Sequence, residues 1–329
     1  MILRVNNIAF NYPNQTYFKG IRNISLQLNE GEILGLVGKS GGGKTTLLKC
    51  IYGLEDLQSG EVMLDNQKIL GPSYNLIPGF EEMKLVSQEF YVLENHTVEE
   101  NIFDKLIGYT NEAKQKRATS LLRLLELVNL KNTRAKHLSS GQKQRVAIAR
   151  ALAIIPKVLL LDEPFSNLDK LLTEKLFSFV IKEVKKNKTS VILITHLAEE
   201  ALKYADTLLV LDNGRMVEQG EKWQVYYKPK NTRLAGLLGD FNLLRKNDLS
   251  KKSKLKFKSK LFLRPDKIKL TASKTNYDLE LTIINCTYNG KCFEVLGETK
   301  SGNSLMVHSH KKLEVDKSFC FEINDSFIY

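Results

Sequence analysis

The stretch Gly38-Lys39-Ser40-Gly41-Gly42-Gly43-Lys44-Thr45 lies between a wholly apolar run at residues 33–37 and a segment of helical pattern that begins near Thr45. The run is bounded by Gly31 and Gly38, as a strand buried on both faces would be. A glycine-rich turn there lets successive backbone N–H groups close around phosphate oxygens, and the N-terminus of the following helix adds positive potential. Lys44 is placed to reach the β- and γ-phosphates of a nucleotide, and the Thr45 hydroxyl to ligate Mg²⁺. The expected fold is therefore α/β, with this phosphate loop at the carboxyl end of a mainly parallel sheet.

The flanking sequence fits that frame. Residues 2–10 and 24–28 alternate as strands do, residues 46–53 read as a helix, and residues 84–87 as a short strand. Between residues 97 and 155 the period becomes helical, with Ala118, Leu121, Leu122, Leu125 and Val128 expected on one face. Strand signals return at residues 158–161, 191–194 and 207–210, separated by helical stretches at 170–185 and 198–204. After about residue 236 the chain turns to short strands. Asn289-Gly290 between residues 281–288 and 291–296 is a strong hairpin signal, and residues 319–323 read as a closing strand. The expected organisation is a nucleotide-binding domain at 1–235 with a helical subdomain at about 97–155, then a small all-β domain at 236–329.

Composition narrows the setting. With 329 residues, 43% of them apolar, the chain has enough material for two or three cores. The N-terminus lacks the order of a secretory signal, and the most apolar stretches, residues 158–161 and 147–155, are far shorter than a bilayer span. A cytosolic protein with at most a peripheral membrane role is expected. Cys50, Cys286, Cys292 and Cys320 show no metal-ligand spacing and read as small apolar residues. The net charge of +12 comes mostly from scattered lysines with few aromatics among them, so a solvated basic surface is expected rather than a direct nucleic-acid partner. The densest run, six lysines within residues 251–260, reads as a hinge or an exposed edge strand.

Two further motifs carry chemistry. Val158-Leu159-Leu160-Leu161-Asp162-Glu163-Pro164 is a buried strand ending in two carboxylates, with a proline that stops ladder pairing. Adjacent acids at a sheet's carboxyl end suit a cation and a reaction: Asp162 to hold Mg²⁺ through its water shell, Glu163 to polarise a water attacking the γ-phosphate. Leu138-Ser139-Ser140-Gly141-Gln142 opens a helix, and Ser139 with Gln142 three residues on has the form of a capping box. Taken alone it is a helix cap.

In the order and spacing of these three motifs the chain resembles the ATP-binding-cassette family. The resemblance implies an ATPase that sandwiches ATP and Mg²⁺ between two copies, with Ser139, Gly141 and Gln142 completing the site formed by Gly38, Lys39, Ser40, Gly41, Gly42, Gly43, Lys44, Thr45 and Thr46 of the opposite copy. It also implies that Tyr12 stacks on adenine, that Gln88 reaches the metal and the attacking water, that Asp169 of Ser166-Asn167-Leu168-Asp169 stands in the loop crossing the dimer interface, and that His196 bonds the γ-phosphate. The sequence departs from the family at Ser140, where a glycine is usual, and at Leu197, where an acid is common. Ser140 fits unless its backbone requires positive φ.

The tail, with Gly239-Asp240-Phe241-Asn242-Leu243 and Leu261-Phe262-Leu263-Arg264-Pro265-Asp266-Lys267-Ile268, resembles the small β-barrel (TOBE-like) domain of bacterial importer ATPases for sugars, polyamines, ferric ion and oxyanions. That resemblance implies membrane permease subunits as partners, an extracytoplasmic solute-binding protein acting indirectly, and a place on the cytoplasmic face of the membrane. Two other functions stay open from the sequence: a soluble cassette ATPase working on DNA or ribosomes, and a regulator that binds ATP without hydrolysing it.

Overall fold

The structure is a computed structural model that describes residues 1–13, 19–87, 91–165, 168–257 and 260–324. The chain divides into two compact units, Met1–Lys222 and Trp223–Tyr329. The first contains β1 (Leu3–Asn11), β2 (Gly20–Leu28), β3 (Ile33–Val37), α1 (Lys44–Tyr52), β4 (Ser59–Leu64), β5 (Gln67–Ile69), β6 (Met83–Val86), α2 (Val98–Phe103), α3 (Asn111–Leu124), α4 (Ser140–Ala153), β7 (Val158–Asp162), α5 (Lys170–Asn187), β8 (Ser190–Ile194), α6 (Ala198–Tyr204), β9 (Thr207–Asp212) and β10 (Arg215–Glu221).

The central sheet has the order β10-β9-β3-β8-β7-β6, parallel throughout except where β10 pairs antiparallel with β9. Strands β3, β7 and β8 are buried at every position, which is why their sequences read as unbroken apolar runs. In this order β8 lies between β3 and β7, so the three carboxyl ends emerge side by side. An antiparallel sheet, β2-β1-β4-β5, shares a core with one face of the central sheet, filled by Leu3, Ile8, Ile24, Leu47, Leu48 and Ile51. Each such aliphatic side chain contributes roughly 1.5–3 kcal/mol by leaving water.

The helical block departs from the expected period at one place. Ala118, Leu121, Leu122 and Leu125 are buried as expected, but Val128 is 47% exposed. Glu126 takes φ 54°, which ends the helical repeat, and Val128 falls in a separate 3₁₀ turn, Val128–Leu130. Arg150, which interrupts the apolar run of α4, is buried and satisfied: it donates to the Asn101 backbone oxygen at 2.9 Å and pairs with Asp104 at 3.0 Å.

The second unit takes up α7 (Lys222–Tyr227) from Trp223 onward, α8 (Thr232–Leu237), β11 (Asn242–Arg245), β12 (Lys260–Leu263), β13 (Ile268–Leu270), β14 (Leu279–Tyr288), β15 (Phe293–Thr299), β16 (Ser304–Ser309) and β17 (Ser318–Ile323). Five strands form an antiparallel sheet in the order β13-β17-β14-β15-β16, and β11 pairs with β12. The compact units divide after Lys222, whereas the expected domain boundary lies at 235/236, and Arg264 joins the intervening residues to the second unit. Fully buried, it donates to the backbone oxygens of Tyr226, Ala235, Gly239 and Asp240 at 2.8–3.1 Å, and its guanidinium lies 4.1 Å from the centre of the Tyr226 ring. One side chain thus binds α7 and the chain around α8 to the strands.

The structure refines two local expectations in this unit. The Asn289-Gly290 hairpin turns over four residues, because Asn289 Oδ1 accepts from the backbone N–H groups of Lys291 and Cys292, and β15 starts only at Phe293. In the lysine run, Lys251, Lys252, Lys254 and Lys256 are exposed on irregular chain while Phe257 is buried, and strand begins at Lys260. All four cysteines are free thiols.

Candidate nucleotide site

The phosphate loop joins β3 to α1. A Cβ at Gly38 would stand 2.1 Å from the Leu211 backbone oxygen, so only glycine lets the loop run this close to β9. Gly43 caps α1 with φ 97°, and its carbonyl receives the Leu47 N–H at 2.8 Å. The turn is braced from outside by the Gly214 N–H, which donates to the Gly42 oxygen at 3.0 Å.

Lys44 is 8% exposed and folds back on the loop, its Nζ donating to the Gly38 and Lys39 oxygens at 2.9 and 3.0 Å. Burial pushes its pKa below the ordinary lysine value, while the carboxylates of Glu163 and Asp162 act against that shift. Thr45 and the loop residues Lys39, Ser40 and Gly41 are exposed; Thr46 is buried in the first turn of α1.

Asp162 ends β7 and is 2% exposed. Burial pushes its carboxyl up from the ordinary value; the Thr45 hydrogen bond opposes this, the Glu163 charge adds to it, and Lys44 and Lys49 oppose it. A buried acid already touching Thr45 beside a lysine is the donor set that a hard, oxygen-seeking cation completes, so these residues fit Mg²⁺. Among the described residues no group of three or more His, Cys, Asp or Glu side chains is arranged to hold a metal by itself, so phosphate oxygens would supply the remaining ligands.

Glu163 takes φ 48°, a left-handed conformation for a residue that precedes a proline. Such backbone costs on the order of 1–3 kcal/mol and persists only where neighbours hold it. Its N–H donates to the Ile194 oxygen at 3.1 Å, and its Oε2 lies 3.7 Å from His196 Nδ1. His196, over half exposed, follows β8; there the Thr195 hydroxyl donates to Glu200 at 2.6 Å and accepts from the Leu197 N–H at 3.1 Å. The structure therefore brings Lys44, Thr45, Asp162, Glu163 and His196 to the adjoining ends of β3, β7 and β8.

Ser139 caps α4 as the sequence suggests: its Oγ accepts from the Gln142 N–H at 3.3 Å, and Gln142 Oε1 accepts from the Ser139 N–H at 2.9 Å. Ser140 is the first helical residue and is absent from the positive-φ positions, so its departure from glycine carries no backbone strain. Ser139 is exposed, and among the described residues no hydrogen bond or ion pair joins Ser139, Gly141 or Gln142 to Gly38–Thr46 of the same chain.

The outlying positions are placed as follows. Tyr12 packs at the edge of the main core, edge-on to Phe10 at 4.9 Å, with its hydroxyl 3.5 Å from Thr46 Oγ1. Asp169 caps α5, accepting from the Leu172 N–H at 2.9 Å. Gln88, Ser166 and Asn167 lie outside the described residues. One residue the motifs did not flag, Gln144, is 2% exposed and donates to the Pro164 oxygen at 2.7 Å. The signal for it was a polar residue four before Ile148 on the buried face of α4.

Residues 21–166 match the family described as ABC transporter. A methionine import ATP-binding protein of Carboxydothermus hydrogenoformans is 36% identical over 228 residues, 68% of this chain and 68% of that protein. A spermidine/putrescine import ATP-binding protein of Mycoplasma capricolum is 30% identical over 339 aligned positions, 96% of this chain and 93% of its own. Among solved structures, a dimeric ATP-binding cassette in a post-hydrolysis state bound to ADP and Pi covers 67% of this chain and 99% of its own, with 28% identity and a TM-score of 0.60.

Proposed function

The chain belongs to the ATP-binding subunits of ABC transporters, and from that premise we propose that it powers import by hydrolysing ATP held between two copies of itself. The observation that carries this reading is the placement of Glu163 one residue past the buried Asp162, with its carboxylate 3.7 Å from His196.

In this reading the loop amides of residues 38–45 and Lys44 neutralise the phosphates, and Tyr12 stacks on the adenine. Thr45, Asp162 and Gln88 would hold Mg²⁺, which when bound draws charge from the β- and γ-phosphate oxygens. Glu163 orients the attacking water and takes up its proton as the water oxygen bonds phosphorus and the bond to ADP breaks; His196 bonds the γ-phosphate. Positioning and charge neutralisation do the work.

The dimer reading is supported by Ser139, Gly141 and Gln142, which form no bond with their own phosphate loop and present a capped helix N-terminus outward. They complete the site of the opposite copy, with Asp169 at the crossing between them. Permease subunits in the membrane receive the motion, and a solute-binding protein outside feeds them. Among the described residues no helix is long and apolar enough to cross a membrane, in keeping with a subunit that works from the cytoplasmic face. The match along nearly the whole chain with a spermidine/putrescine import protein supports a regulatory TOBE-like role for the second unit.

Glu163→Gln tests the reading. Phosphate release should fall by about 10²–10⁴-fold, while light scattering shows an ATP-loaded dimer accumulating. Full turnover by this variant would overturn the role given to Glu163.

A further inference from the structure

We propose that Gln144 is a positioning residue for hydrolysis: through the Pro164 carbonyl it ties the helix that begins at Ser139 to the turn that aims Glu163. The proposal rests on the reading of Glu163 given above.

The geometry is local and complete. Gln144 lies in the second turn of α4, two residues beyond Gln142, and is buried. Its Nε2 donates to the Pro164 oxygen at 2.7 Å across a separation of 20 residues. A carbonyl only accepts, so the amide orientation is fixed by its partner. The turn it holds contains the left-handed Glu163, pinned on the other side by the bond from its N–H to the Ile194 oxygen. Glu163 therefore sits between two clamps, one from the central sheet and one from α4. A displacement of α4 moves the second clamp and not the first, which rotates the Glu163 backbone.

A second observation separates this from ordinary core packing. Gln144 Oε1 is buried with no hydrogen-bond partner among the described residues. An amide that satisfies only half of its polar atoms is a poor choice for stability, and an apolar side chain of equal length would avoid the cost. The fold keeps the donor at the one place where it controls the carboxylate turn. On the dimer reading given above, the Ser139 end of the same helix faces the other copy's nucleotide, so occupancy of one site is reported to the carboxylate of Glu163 in the other.

The test is Gln144→Met, which keeps length and removes the donor, with Gln144→Leu as a second variant. Both are measured for ATP binding, thermal midpoint, and turnover against ATP concentration. Turnover is expected to fall about tenfold, the loss of one hydrogen bond's contribution, with the Hill coefficient dropping toward 1, ATP affinity retained and the midpoint unchanged or higher. Native cooperative turnover in either variant overturns the proposal. So does a parallel loss of ATP binding and thermal midpoint in both, which marks Gln144 as structural. Glu163→Gln run alongside keeps the readings apart: if it turns over fully, the role of Glu163 fails; if it is inactive while Gln144→Met is native, only the present inference fails.

Discussion

Both units bury charged side chains, and Lys44 and Asp162 of the first unit differ from the others in how they are used. In the second unit Arg264 is consumed by four backbone oxygens and two aromatic rings, and Asp248 by the Arg245 N–H and the side chains of Thr299, Ser301 and Asn303. These groups find most of their partners inside the fold, with Arg264 Nη2 alone left without a hydrogen bond among the described residues. In the first unit Lys44 and Asp162 are also buried, and burial pushes both toward the neutral form, as it does Arg264. On the proposed reading their arrangement becomes favourable when phosphate and a cation arrive. Buried charge fastens the fold where the fold supplies the counter-groups, as for Arg264 and Asp248 and, in the first unit, Arg150, whereas on the proposed reading Lys44 and Asp162 await a ligand.

The sharpest way to break that contrast is Lys44→Ala against Arg264→Met. Loss of Lys44 should lower turnover by roughly 10²–10³-fold while urea unfolding stays close to native. Loss of Arg264 should leave turnover per folded molecule unchanged and destabilise the second unit by about 3 kcal/mol, seen as an early transition in urea followed by tyrosine fluorescence. If Arg264→Met abolishes turnover while folded, the contrast fails.

A smaller effect follows from Asp162. Its folded pKa is raised above the ordinary 3.8, so the folded state holds the proton more tightly, and ionisation costs the nucleotide-free protein stability as pH rises through the raised value. Asp162→Asn should therefore melt higher than native at pH 7, the gap closing as pH falls toward about 4. A gap that widens on acidification would reverse the sign of the argument.

The smallest effect concerns Cys50, whose thiol is pushed up to about 12 by burial on α1. A maleimide at pH 8 should modify half-buried Cys292 on the order of 100-fold faster than Cys50, read by peptide mass spectrometry. Equal rates would show that the first unit's core opens readily.

Much of this was legible in the residues. Residues 33–37, 158–161 and 191–194 read as buried strands because a strand covered on both faces has no polar side to show. The Ser139–Gln142 cap was legible because capping is a contact between residues three apart. Val128 was misplaced since periodicity alone does not register Glu126 turning left-handed. Gln144 went unnoticed because its partner, Pro164, is distant in sequence.

The sequence by itself determined the chemistry: a glycine-rich loop, paired carboxylates and a capped helix follow from covalent structure and contacts over a few residues. Only the tertiary structure decided the strand order that sets β8 between β3 and β7 and so gathers Lys44, Asp162, Glu163 and His196. It also decided that Arg264 reaches back to Tyr226 and that Gln144 bonds the carbonyl of Pro164. Those are choices among long-range pairings, and they are settled by which buried surfaces and buried polar groups can be satisfied together.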